Sequence, residues 1–431
     1  MTMNSNDSIN YVFKNEVLSY ESYIKEFTDK IFQEFNSKSE EVGLLSKIDD
    51  LFSGKKVNNT EDLAAWHTKI RDEYPVAIDD HKYLELFYSA NNIVTIGIGG
   101  SFEGPKLLIE AEGNTDKNYV FISGSDLEEF NEKTEKLNPS ETIFVVSSKS
   151  FTTEETIAIL NNAIAWSGDI NKFLAITANK SEAQKFNINN IIEFDKEIGG
   201  RYSIWSDISI AAHWENNSEW KNSFIMGGKH ADSNLKEDDS YLKFVKTLAF
   251  SDIWLNNYKK KSSRAVLSYI WKFRSFPDYV QQLEMESLGK KSSIQSGFNK
   301  TGQIIFGGYG PTAQHSYFQL LHQGTQNLCA DIIACKENLK SLAYVQAITQ
   351  ARLLSDGADH ILKEEEKING NVPLNLFILN KIDAYTLGYL IATWEHRTYI
   401  SAVMLGINPF DQFGVSAGKI FTKKYLEENG G

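Results

Sequence analysis

Between Asn92 and Trp214 the chain alternates short apolar runs with longer segments whose apolar positions recur at helical spacing. The runs at 93–98, 119–122, 142–147, 173–177 and 191–194 predict strands. The segments at 105–111, 127–137, 152–166 and 181–186 predict the helices that connect them. Strand–helix alternation of this kind implies a parallel sheet covered on both faces, with ligands bound where loops leave the carboxyl ends of the strands. A polar, interrupted stretch at 215–239 reads as a boundary. Beyond it a less regular alternation predicts strands at 265–269, 304–306 and 328–334, and helices at 277–287, 314–322, 341–354 and 385–405. Residues 1–90 read as mostly helical, most clearly at 61–74 and 80–90. The fold class is therefore α/β: two similar parallel-sheet units with helical N- and C-terminal extensions.

Composition narrows the partners more than the substrates. The 431 residues suffice for two or three domains, and 44 basic against 57 acidic side chains give a net charge of −13. That balance argues against a surface built for nucleic acid or an anionic membrane. It does not exclude an anionic small substrate, because a pocket can be locally positive. The two cysteines, Cys329 and Cys335, make neither a disulfide framework nor a zinc site, and no metal is expected. The apolar stretch 385–410 is interrupted by Glu395, His396 and Arg397, which a membrane span rarely tolerates. With no signal-peptide pattern in residues 1–17, the expected location is the cytoplasm.

Two loops carry the candidate chemistry. Gly97-Ile98-Gly99-Gly100-Ser101 follows the first strand of the alternation. Its glycines let backbone N–H groups crowd around an anion, with the Ser101 hydroxyl as a further donor. The dinucleotide fingerprint fails because Phe102 stands where a third glycine belongs, and the P-loop lysine is missing. A tight strand–helix turn would explain the same residues. The second loop, Ser147-Ser148-Lys149-Ser150-Phe151-Thr152-Thr153, also follows an apolar strand, and its hydroxyls and ammonium suit a phosphate dianion. A capping box from Thr152 and Glu155 is the alternative. Single residues are open to plainer readings. Arg201 follows two glycines and could be a solvated side chain. Glu286 lies near the end of a predicted helix, where a glutamate is usually exposed. His315 and His322 share a helix face in this reading, as core residues also would. Lys419 is one lysine among many near the C-terminus.

In order along the chain, Ile96–Ser101 with Gly104-Pro105, 148–156, 199–206, 281–287, Gln314-His315 with 319–325, Glu395-His396, and 408–415 with Gly418-Lys419 resemble the phosphoglucose isomerase family of the double sugar-isomerase (SIS) domain type. The resemblance divides the chain into an N-terminal helical extension packing on the large domain (1–42), a small first SIS domain with the phosphate loops (43–214), a large second SIS domain (215–400) and a C-terminal segment carrying Lys419 (401–431). It implies reversible interconversion of glucose 6-phosphate and fructose 6-phosphate, a step of glycolysis and gluconeogenesis, without a cofactor. Gly100, Ser101, Ser148, Lys149, Ser150 and Thr153 would hold the phosphate, and Gln282 and Gln412 would line the sugar. Glu286 would move a proton between C2 and C1 through a cis-enediol, with Arg201 stabilising the enediolate. His315 and Lys419 would handle ring opening, the histidine crossing from the neighbouring subunit of a homodimer.

The chain departs from the family pattern at Leu288 and Gly124, usually Asn, at Phe413, usually Trp, and in the loop 307–313. Two rivals remain at this level. One is a broader phosphosugar isomerase that also uses mannose 6-phosphate. The other is a non-catalytic phosphosugar sensor, which would need the hydroxyl loops but not Glu286, Arg201, His315 and Lys419 together.

Overall fold

The computed structural model describes residues 8–73, 81–112, 116–210, 218–358 and 363–429. The first sheet contains β3 (Asn92–Ile96), β4 (Asn118–Ile122), β5 (Thr142–Ser147), β6 (Phe173–Thr177) and β7 (Asn190–Glu193), all parallel, in the order β4-β3-β5-β6-β7. β5 is buried along its whole length, as its unbroken apolar run requires for a central strand covered on both faces. From β3 the chain steps to β4 on one side and then to β5 on the other. The loops after β3 and β5 therefore leave the same sheet edge from neighbouring strands, at the point where the winding reverses.

The second sheet is mixed, in the order β1-β2-β11-β10-β8-β9. Its parallel part is β8 (Ser263–Ser268), β9 (Ile304–Tyr309), β10 (Leu328–Cys335) and β11 (Leu374–Leu379). The hairpin of β1 (Tyr11–Lys14) and β2 (Leu18–Ser22) adds antiparallel to β11. The N-terminal segment, expected to be helical, thus begins as sheet. Its alternation Leu18, Tyr20, Ser22 faces inward at every second residue, which is strand periodicity. β11 was not anticipated either.

Two further expectations change. The stretch read as a boundary at 215–239 contains the helix Ser218–Glu237; residues 211–217, where the predicted junction at 214/215 falls, lie outside the described residues. Its glycines looked like interruptions but are contact points. A Cβ on Gly227 would lie 1.9 Å from the Tyr385 carbonyl oxygen, and one on Gly388 would lie 1.9 Å from that of Phe224. Glycine lets this helix and Ala384–Leu405 cross with their backbones almost touching. Leu44, Ile48, Leu51 and Ala65 join one core that also holds Leu107, Trp205 and the Ala384–Leu405 helix. The predicted helix 314–322 is two short ones, Gly310–Ala313 and Phe318–Gln323, with His315 in the exposed turn between them. His315 and His322 therefore do not share a helix face.

The Glu395-His396-Arg397 triplet sits wholly inside the protein. Arg71 donates to Asp232 and Glu395, Trp205 also donates to Glu395, and His396 pairs with Asp232. Arg397 forms a fork to Asp252 and a bond to Asp331. Buried charges persist only when paired and hydrogen-bonded in this way. Among the described residues, no helix is long and apolar enough to cross a membrane.

Candidate active site

A cavity of about 540 Å³ opens at the edge of the first sheet, between its loops and the helix Phe276–Leu288 that follows β8. Gly99, Gly100, Ser101, Ser147, Ser148, Lys149, Ser150, Thr153, Lys196, Arg201, Gln282, Glu286, Gln412 and Lys419 all contribute to its wall. Eleven of the twelve residues named above as phosphate, sugar or catalytic groups thus meet in one place. The exception is His315, which is exposed and does not line this chain's cavity.

The glycine loop is needed for close approach. Gly99 has φ +59°, and a Cβ on Gly100 would lie 1.9 Å from the carbonyl oxygen of Gly200. The 97–101 and 199–201 backbones therefore touch, bringing Ser101 beside the loop that carries Arg201.

The hydroxyl loop is not organised as a capping box. Thr153 is the N-cap of Glu154–Ser167, but its side chain makes no capping bond, and Thr152 Oγ1 donates instead to Ser150 Oγ at 2.9 Å. Ser148 Oγ accepts the Phe151 N–H at 3.1 Å and lies 3.4 Å from Thr153 Oγ1. Phe151 holds φ +54°, and its buried ring anchors that turn. Ser147 Oγ, buried against the cavity, has no hydrogen-bond partner among the described residues. Four hydroxyl residues, Ser147, Ser148, Ser150 and Thr153, and the start of a 14-residue helix thus line one volume, a setting suited to an anion. Lys149 Nζ reaches across to donate to the Ile198 carbonyl at 3.0 Å, and burial lowers its pKa from the ordinary lysine value.

On the opposite wall Glu286 Oε2 accepts from Gln282 Nε2 at 3.1 Å and lies 3.3 Å from Arg201 NH1. Arg201 NH1 also donates to Gln412 Oε1 at 3.0 Å. The carboxylate is partly open to the cavity, whereas the guanidinium is almost fully buried, with a side-chain exposure of 26% against 2%. A carboxylate and a fixed cation in contact, beside a loop of hydroxyls suited to an anion, have the chemistry to abstract a proton and stabilise the oxyanion that results.

Lys196, Lys290, Tyr202 and Ser287 were not singled out from the sequence. Lys196 lies just past the carboxyl end of β7, so the rule that identified the other loops also applied to it. Lys290 Nζ donates to the Glu286 carbonyl at 2.9 Å and pairs with Asp411 at 3.3 Å, tying the helix that bears Glu286 to the segment that bears Gln412. Burial, and then the neighbouring Arg201, lowers the Lys290 pKa. Leu288 turns into the main hydrophobic core, where it is 6% exposed.

A sequence profile of the phosphoglucose isomerase family matches residues 85–430. Glucose-6-phosphate isomerase of Legionella pneumophila (strain Paris) is 33% identical over 96% of this chain and 90% of its own. That of Deinococcus deserti is 32% identical over 90% and 83%, respectively. A crystal structure of a glucose-6-phosphate isomerase from Chlamydia trachomatis superposes with a TM-score of 0.85 at 24% identity, covering 97% of this chain and 90% of that one. That last likeness is one of fold, and it agrees with an α/β architecture of two SIS-type units.

Proposed function

The chain belongs to the phosphoglucose isomerase family, and from that membership and the chemistry of the cavity we propose that it interconverts D-glucose 6-phosphate and D-fructose 6-phosphate in the cytoplasm, as a homodimer. The observation that carries the reading is the joining of the hydroxyl loops to the Glu286–Arg201 pair in one cavity.

In this reading Ser101, Ser148, Ser150 and Thr153 hold the phosphate, with Lys149 adding positive charge. Binding energy from the phosphate orients carbons that lie some distance away. Lys419 and His315 open the sugar ring by moving protons between the C1 hydroxyl and the ring oxygen. Glu286 then removes the C2 proton from the open-chain aldose. Charge develops on the C1 oxygen and is met by Arg201, which does not give up its own proton. In the cis-enediol that results, a proton passes from the C2 oxygen to the C1 oxygen, and Glu286 then returns its proton to C1 as the C2 carbonyl forms, giving the ketose.

Two observations support a dimer that shares its sites. His315 is exposed on a turn outside its own cavity. The helix Ser416–Asn429, which carries Lys419, buries none of its side chains and leaves Ile420, Phe421 and Tyr425 about two-thirds exposed. A coupled assay offering glucose 6-phosphate, mannose 6-phosphate and glucosamine 6-phosphate side by side tests the reading. Turnover of glucose 6-phosphate is expected; turnover of mannose 6-phosphate as well would favour the broader phosphosugar isomerase, and binding without turnover would favour a sensor.

A further inference from the structure

Arg201 is held on three sides, and of the side chains that hold it only that of Ser287 has no role in the chemistry described so far. Its guanidinium is a rigid planar fork, so fixing two of its nitrogens fixes the third. NH2 donates to the carbonyls of Pro409 and Asp411, the latter at 3.0 Å. Nε donates to Ser287 Oγ at 2.7 Å. NH1 alone turns to the cavity, where Gln412 Oε1 and Glu286 Oε2 receive it.

Ser287 is completely buried and adjoins Glu286 on the Phe276–Leu288 helix. Its hydroxyl also shares a 3.0 Å hydrogen bond with the Tyr202 hydroxyl. Tyr202 is itself immobilised: its ring stacks on His67 with centroids 4.7 Å apart, and His67 lies 3.6 Å from the buried Glu395. Burial pushes the Tyr202 pKa up to about 12, so its hydroxyl stays protonated. The Ser287 oxygen is therefore a fixed point between a locked tyrosine and the Nε edge of the catalytic cation.

We propose that Ser287 is a positioning residue, which registers the Arg201 guanidinium to the helix bearing the base so that NH1 meets the oxyanion formed when Glu286 takes its proton. The proposal rests on the isomerase reading. The carbonyls of Pro409 and Asp411 belong to a different segment from the base. Ser287 is the anchor that ties cation and base to the same rigid helix. Serine hydroxyls inside helices commonly bond to their own backbone. This one is spent on two side chains of the neighbouring Gly200–Trp205 segment, and replacing it with a methyl would leave a buried Nε–H without its partner.

The test is a double-mutant cycle on kcat and KM for glucose 6-phosphate with Ser287→Ala, Arg201→Lys and the double variant, alongside melting temperatures. Loss of one hydrogen bond to a charged group predicts a fall in kcat of roughly 10- to 100-fold in Ser287→Ala. KM should stay within about threefold, because phosphate binding is untouched. Since lysine has no Nε–H fork, Ser287→Ala should cost almost nothing further in the Arg201→Lys background. An unchanged kcat in Ser287→Ala, or losses that multiply in the double variant, would overturn the proposal. Should Ser287→Ala fail to fold, Ser287→Cys carries the same cycle, its weak sulfur acceptor giving a smaller but equally non-additive loss. Tyr202→Phe, which leaves the Arg201–Ser287 bond intact, should lower kcat far less than Ser287→Ala. A wild-type protein without isomerase activity would remove the functional reading and this proposal together; an active wild type with an unaffected Ser287→Ala removes the proposal alone.

Discussion

Gly100→Ala tests whether the contact between two loops sets the geometry of the site. A Cβ at this position would lie 1.9 Å from the Gly200 carbonyl oxygen and 2.9 Å from the Arg201 nitrogen, both backbone atoms that cannot swing aside. Relieving the clash requires the 97–101 and 199–201 loops to part by about 1 Å, a misplacement that costs a catalytic site roughly 100-fold. The loss corresponds to about 2.7 kcal/mol of transition-state stabilisation. Neither loop is part of a sheet, so far-UV circular dichroism should be unchanged. Gly199→Ala is the matched control: the nearest atom to its Cβ is the Phe410 carbonyl oxygen at 3.9 Å, an ordinary contact. A coupled assay with glucose 6-phosphate should show kcat/KM reduced about 100-fold in Gly100→Ala and within about threefold of wild type in Gly199→Ala. Wild-type activity in Gly100→Ala, or equal damage in both variants, would refute the reasoning.

Three other outcomes are expected. Lys149→Ala removes a partly buried ammonium from the hydroxyl loop and its bond to Ile198, so KM for sugar phosphates should rise about tenfold with a smaller change in kcat, measured by initial rates. Burial raises the Glu395 pKa from 4.5 to about 7, so the folded protein keeps that proton where the unfolded chain has lost it. The stability this contributes is present below about pH 4.5 and is lost as pH rises through about 7. Thermal melts from pH 5 to 8 should therefore show wild type losing stability relative to Glu395→Gln as pH rises. Finally, co-expressed His315→Ala and Glu286→Gln subunits, each inactive alone, should regain about one quarter of wild-type activity, because half of the dimers would hold one intact site.

The first sheet was legible because its strands are continuous apolar runs and its helices follow at regular intervals. Each of its five strands lies within two residues of the expected position. That the hydroxyl and glycine loops meet at one edge was legible for the same reason, since sheet topology fixes where the loops after neighbouring strands emerge. The second sheet was harder. The β1–β2 hairpin joins β11 across more than 350 residues of chain, a pairing no local pattern announces. In Ser218–Glu237, Gly227 and Gly228 suit a close helix crossing, and read alone they resemble breaks. His315 stands on a turn because Gly310–Ala313 ends before it, whereas its spacing from His322 suggested one helix. The partners of Arg201 were the least legible. Ser287, Pro409 and Asp411 come from two distant segments, and only the packed chain places them around one guanidinium.

The central claim is that Glu286 transfers the proton between C2 and C1. It is tested most directly by running wild type and Glu286→Gln in deuterium oxide with glucose 6-phosphate and following the C1 and C2 positions by proton NMR. The account predicts fructose 6-phosphate formation with solvent deuterium at the transferred position for wild type. For Glu286→Gln it predicts that both isomerisation and exchange fall by orders of magnitude, while sugar phosphate still binds in a calorimetric titration. Isomerisation and exchange at wild-type rates in Glu286→Gln would contradict it.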